Sequence, residues 1–283
     1  MSTPVRRGRT LRSRLLAFIS DATGRLTAAW RILTTAQTRL LNALAAIRPG
    51  RNGQAKVRAA TAVFQRSIAE FNRAMGAFAE RWAATDLPLA YREGSLAALD
   101  HLDRPHRIWS WTPRHRAAIT ELSAQYYSDL MGRLQEALRR ARAFLRAALD
   151  ATRMRFARFE HGRIDPAALR RDHPLDTVIY ANDARHPVEA WARAALSWQA
   201  VTTANHGGIR TALDELGCQW LEVRDGSGCG WGSHEDTDTA DGSLRTVQDA
   251  LAHPVAHPHC IREFLPRPDV VTPPDFVLGG VFG

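Results

Sequence analysis

The sequence predicts a mainly α protein: a long-helix N-terminal region followed by a small α+β Cys/His module. Three observations carry this. Apolar residues recur every three or four positions from Leu11 to about Leu216, the pattern switches to alternation after Gly217, and Cys and His concentrate in Gly228–Cys260.

The first helix is expected over Leu11–Ile47, where Leu15, Ile19, Leu26, Trp30 and Leu33 line one face before "RPGRNG" breaks the pattern. A second is expected over about 55–84, with Val63, Phe64, Ile68, Phe71, Met75, Phe78 and Trp82 on its apolar face. Pro88 should open a shorter helix, and "DRPHRIWSWTPRHR" reads as a loop. There Thr112 and Pro113 supply the cap and first turn of the next helix. That helix is the longest, from Arg114 to about His161, and another follows over about 187–216 with a break at "DHPLDT". Beyond Gly217, "CQWLEVRDG" reads as a strand entering a tight turn, Ser243–Leu251 as a short helix and His259–Pro266 as a second strand. The expected organisation is thus an N-terminal helical region (1–112), a long-helix region (113–216), the α+β module (217–265) and a Pro/Gly-rich tail (266–283).

Charge is divided unevenly along the chain. Residues 1–171 carry 31 basic and 13 acidic side chains, residues 172–283 carry 7 and 16, and the whole chain has a net charge of +9. A basic helical half favours a polyanion such as double-stranded DNA, or an acidic protein surface. The densest arginines are Arg133, Arg139, Arg140, Arg142, Arg146, Arg153, Arg155 and Arg158 on the longest helix, the candidate nucleic-acid-binding residues. The apolar run after the basic start is too short for a secretory segment and meets Asp21 and Arg25, and nothing reaches the length of a membrane span. Three cysteines make no disulfide framework and suit a reducing compartment.

Cys229 and His234 form one short-spaced pair, and His257 and Cys260 form another 22 residues further on. Thiolates and imidazoles in two such pairs suit a tetrahedral zinc that clips two loops. A Cys229–Cys260 disulfide and two merely buried thiols remain alternatives, and Cys218, His253 and His259 are rival donors. The neighbouring acids Asp225, Glu235, Asp236, Asp238 and Asp241 lack the spacing of a calcium loop and read as a solvated face. No nucleophile elbow, P-loop, dinucleotide fingerprint or H-E-x-x-H is present, so no catalytic residue is expected.

The stretch from Trp220 to Val270 resembles the C-terminal signature of phage minor head morphogenesis proteins, the Mu F-like family. The matching positions are Trp220, Asp225, Gly226, Cys229, Trp231, His234, Asp236, Gly242, Arg245, His257, Pro258 and Cys260. Gly232 and Arg262 stand where many members carry two further cysteines, so either His234 and His257 complete a ligand set or the metal is lost. The resemblance implies a structural, non-enzymatic virion component associated with the portal and other capsid proteins. It would act in head assembly and DNA packaging or delivery, residing in the virion interior and in the host cytoplasm during assembly. The alternative is a metal-dependent nuclease or toxin-related enzyme using the Cys/His/Asp module.

Overall fold

A computed structural model describes residues 11–48, 52–157, 164–180 and 182–270. Residues 1–10, Arg158 and most of the Pro/Gly-rich tail (271–283) lie outside the described residues. The protein is mainly α: among the described residues four of seven helices are long, and the short strands gather near the end of the chain. The helices are α1 (Leu11–Ala46), α2 (Gly53–Arg81), α3 (Leu87–His101), α4 (Pro113–Ala157), α5 (Pro166–Asp172), α6 (Val188–Asp214) and α7 (Val247–Ala252). The strands are β1 (Thr177–Ile179), β2 (Arg185–Pro187), β3 (Trp220–Arg224), β4 (Leu244–Thr246) and β5 (Glu263–Pro266). No described helix is long and apolar enough to cross a membrane.

Several helix limits follow from local chemistry. Between α2 and α3 the helix does not break but widens into one π turn, Trp82–Asp86. Pro88 has no N–H to donate, and its ring would collide with the carbonyl four residues back, at Ala84, which opens the regular ladder. The Thr112 hydroxyl accepts the His115 N–H at the start of α4, as its sequence position predicts. At the far end of α6, Gly217 adopts φ +65°, and the Cys218 N–H reaches the Ala212 carbonyl at 2.8 Å.

One sequence expectation fails here, and one element lies outside what the sequence predicts. Val63 is 45% exposed, one position off the buried stripe of Val57, Thr61, Phe64, Ile68 and Phe71. The stretch before α6 is not all helix, because β1 and β2 pair antiparallel as a hairpin with Val178 opposite His186. Strands of three residues are too short to show a reliable alternation.

The chain folds as two compact units. One comprises Asp21–Trp82 and Gln125–Arg193 and holds 23 basic against 12 acidic side chains. Its core is aromatic: Trp30 meets Phe71 edge-on at 5.4 Å between ring centroids, and Phe64 meets Phe144 at 5.3 Å. The segment from α5 through β2 is fastened by side chains that donate to its backbone. The Trp30 indole N–H reaches the Leu175 carbonyl at 2.9 Å, and Gln37 reaches that of His173 at 2.7 Å. Arg140 bonds the carbonyls of Pro174 and Thr177, while Arg133 bonds that of Ile179 and stacks on Tyr180.

The other unit comprises Met1–Ser20, Ala83–Ala124 and Ala194–Gly283. Here α3 and α6 touch backbone to backbone. A Cβ on Gly94 would sit 1.8 Å from the Ala204 carbonyl oxygen, and one on Gly207 would sit 2.1 Å from that of Tyr91. Fully buried His115 bridges the Tyr91 hydroxyl (2.8 Å) and Glu215 (2.9 Å), joining α3, α4 and the residues after α6. Burial pushes the Tyr91 phenol well above its ordinary value. The three-stranded sheet has the order β4-β3-β5, all antiparallel, with Leu221 opposite Arg245 and Val223 opposite Phe264. Leu221, Val223, Phe264, Trp231 and Val247 bury against Ile209 and Ala212 of α6. Ser243–Leu251 is therefore half strand and half helix: β4 takes Leu244–Thr246, and the Thr246 hydroxyl caps α7 by accepting the Asp249 N–H.

Candidate metal centre

β3 ends at Arg224, and the chain turns at once through Asp225 and Gly226, where the Cys229 N–H closes onto the Gly226 carbonyl at 2.9 Å. Cys229 then opens a loop that folds back on itself. The Trp231 N–H bonds the Asp238 carbonyl at 2.7 Å, and the Ala240 N–H bonds that of Cys229 at 3.1 Å. A side chain at Gly230 would meet the carbonyls of Ser233 and Asp236 at 2.3 and 2.5 Å, so only glycine permits this fold-back. From the other side, the segment after α7 makes a turn in which the Cys260 N–H bonds the His257 carbonyl at 2.9 Å.

The two predicted Cys/His pairs come together only in part. The donor atoms of Cys229, His234 and His257 all lie within 4.8 Å of one another, and those of Asp225, Cys229 and Cys260 form a second such set. Cys229 Sγ is 3.2 Å from His257 Nε2, and the rings of His234 and His257 meet edge-on at 4.8 Å between centroids. Cys260 instead donates its thiol to Asp225, at 3.4 and 3.5 Å from the two carboxylate oxygens. The rivals stand elsewhere: Cys218 is in the apolar core, and His253 bonds the Asp249 carboxylate. All three cysteines are free thiols.

Burial and the bond to Asp225 push the Cys229 thiol up to about 11, and burial raises that of Cys260. Burial and the neighbouring His234 lower His257, which keeps its imidazole neutral and able to ligate. Cys229 and Cys260 are buried, His257 is half-buried and His234 is exposed, so the first set runs from the interior to the surface.

The acidic stretch is not uniformly a solvated face. Glu235, Asp236, Asp238 and Asp241 are exposed, and the Asp236 carboxyl is held low by the N–H groups of Asp238 and Gly232. Asp225 is different. Its side chain is fully buried against the equally buried Arg262, with Nε 2.8 Å from Oδ2. Arg262 also donates to the carbonyls of Trp231 (3.1 Å), His253 (2.9 Å) and Gly230 (2.8 Å). Its guanidinium carbon and that of Arg245 lie over the Trp231 ring, at 4.6 and 4.4 Å from the centroid. Sequence reasoning places Arg262 in the expected second strand and at a lost cysteine position, and assigns it no partner. The available signal is its register: it alternates with Cys260 and Phe264, both buried, and an arginine on that face demands a buried anion.

The eight arginines singled out on α4 differ in their surroundings. Arg133 and Arg140 are half-buried and occupied with the carbonyls named above. Arg139, Arg142, Arg146 and Arg153 are exposed, with Arg139 paired to Glu136 and Arg153 to Asp150 at 3.4 Å. The side chain of Arg155 and all of Arg158 lie outside the described residues.

The arrangement is that of a mainly α protein carrying Cys/His/Asp groupings at metal-ligand distances. No family model, no curated protein and no solved structure matches the chain.

Proposed function

We propose that this chain is a structural minor head protein of a phage or prophage virion. In this reading it associates with the portal and acts in head assembly and in DNA packaging or delivery. The observation that carries the DNA part is the exposed row Arg139, Arg142, Arg146 and Arg153, spaced three to seven residues apart on α4 of the basic unit. Such a row meets phosphates and reads no sequence. The Trp220–Val270 resemblance supports the virion role, the portal and capsid partners and the virion-interior location. Zinc suits the donor types of the Cys/His cluster, one thiol and two imidazoles, and would join the 229–234 loop to the 257–260 turn.

Titration of the full chain with random-sequence duplex DNA at several salt concentrations tests the DNA role. The expected result is sequence-independent binding whose log K falls linearly with log salt. Replacing all four exposed arginines by glutamine should reduce the slope by about 3.6, at about 0.9 per phosphate. A slope that the variant leaves unchanged would remove α4 from the interface.

The alternative, a metal-dependent nuclease, is favoured by one feature: three donors at the cluster rather than four, with His234 at the surface. Incubation with plasmid DNA and Mg²⁺ or Zn²⁺ decides it, since cleavage that disappears in His234→Ala would establish that reading over the structural one.

A further inference from the structure

We infer that the metal centre binds its ion through Cys229, His234 and His257 alone, and keeps a fourth, exchangeable position for a solvent-derived or small anionic ligand. This rests on the zinc reading above and adds to it that Cys260 is withheld from the ion.

The two donor sets share Cys229, so an ion must choose a side. On the Asp225 side a cation is already present. The Arg262 guanidinium takes Oδ2 of Asp225 at 2.8 Å, with both side chains fully buried, and the Gly226 N–H takes Oδ1 at 2.8 Å. The carboxylate has no free oxygen for a metal, and a divalent ion there would face a desolvated positive charge. Cys260 points at this same carboxylate, and its thiol proton is what makes the contact favourable. As a thiolate ligand it would lose that bond and set a second negative charge beside Asp225 in a dry environment.

On the histidine side two of the three donors are imidazoles, which ligate without adding a negative charge, so Cys229 alone exchanges its bond to Asp225 for the ion. Cys229 Sγ and His257 Nε2 are 3.2 Å apart, close to the separation of two corners of a zinc tetrahedron. His234 reaches the same point from the exposed loop. Among the described residues no fourth His, Cys, Asp or Glu joins this set. Three protein donors with a fourth corner toward solvent is the coordination of an open zinc site rather than a closed one. Cys260 is then a positioning residue, which holds Asp225 and, through it, the turn that carries Cys229.

The test is X-ray absorption on the full chain loaded with zinc. The expected first shell holds one sulfur at about 2.3 Å and nitrogen or oxygen donors at about 2.0–2.1 Å. With cobalt(II) in place of zinc, the sulfur-to-metal charge-transfer band should disappear in Cys229→Ser. It should keep its intensity in Cys260→Ser, where affinity falls by no more than about 10–100-fold. Azide added to the cobalt protein should perturb the ligand-field bands by taking the fourth position. Two sulfurs in the zinc shell, or bands indifferent to azide, would overturn this inference while leaving a structural zinc intact. Failure to bind either ion would overturn both. The sulfur count is read on the unmutated protein, so it holds even where a variant folds poorly.

Discussion

Arg262 Nε lies 2.8 Å from Asp225 Oδ2, and neither side chain is exposed to solvent. The same guanidinium satisfies the carbonyls of Gly230, Trp231 and His253, so one side chain holds the turn after β3, the 229–240 loop and the exit of α7. Arg262→Met removes the partner of a buried carboxylate and orphans three carbonyls. The expected loss is about 3–5 kcal/mol in chemical denaturation. Asp225→Asn, which leaves the guanidinium uncompensated, should cost a similar amount. A loss below about 1 kcal/mol for both would show that water reaches this pair.

The contact of α3 with α6 gives a second expectation. Gly94→Ala drives a methyl group to within 1.8 Å of the Ala204 carbonyl oxygen, which belongs to a helix backbone and has no rotamer to change. Overpacking of this kind costs at least about 3 kcal/mol, read as a fall in denaturation midpoint. Gly132→Ala is the control: nothing lies within 4 Å of its added Cβ, and the change should stabilise α4 by about 0.5–1 kcal/mol.

Arg140 and Arg142 stand two positions apart on α4 and should respond in opposite ways. Arg140→Met unfastens the segment before β1 and should lower the thermal midpoint while barely altering the salt dependence of DNA binding. Arg142→Met, at an exposed position, should leave the midpoint unchanged and reduce the salt slope by about one. Parallel thermal melts and DNA titrations check both.

Acid stability should depend on His206. Burial, followed by the nearby Arg210, pulls its imidazole down from 6.5 to about 4. Below pH 6.5 the unfolded chain takes a proton that the folded chain refuses, so stability falls as pH drops from 6.5 towards 4. The full effect is on the order of 3 kcal/mol at most. His206→Gln should flatten that part of a pH–stability curve and leave its shape unchanged at higher pH.

The long helices are legible in the sequence because many turns of three-and-four spacing average out local noise. α1 and α6 accordingly begin and end within a few residues of expectation, and α4 begins within one, while its expected end at about His161 lies outside the described residues. The β1–β2 hairpin is not legible, since three-residue strands offer no period and their stability comes from α1 and α4 side chains remote in sequence. In the cluster, the spacing of Cys229, His234 and His257 points to a meeting that the fold produces. Cys260 escapes that pattern because its partner, Asp225, is 35 residues earlier. Among five acids in one stretch, nothing in composition separates the buried one from the four that face solvent.

The organisation of residues 225–262 around a guanidinium also bears on how an ion would couple to folding. Where loops are closed only by a metal, removing it unfolds them. Here the Arg262 bonds close the loops without one. Chelation should therefore leave the secondary structure in place. It should lower stability only by the mass-action term set by the free ion concentration and its dissociation constant. Circular dichroism before and after a chelator, with the melting temperature followed against added zinc, would register this as a graded shift rather than a collapse. The ion could then come and go with its supply while the loops that receive it stay formed.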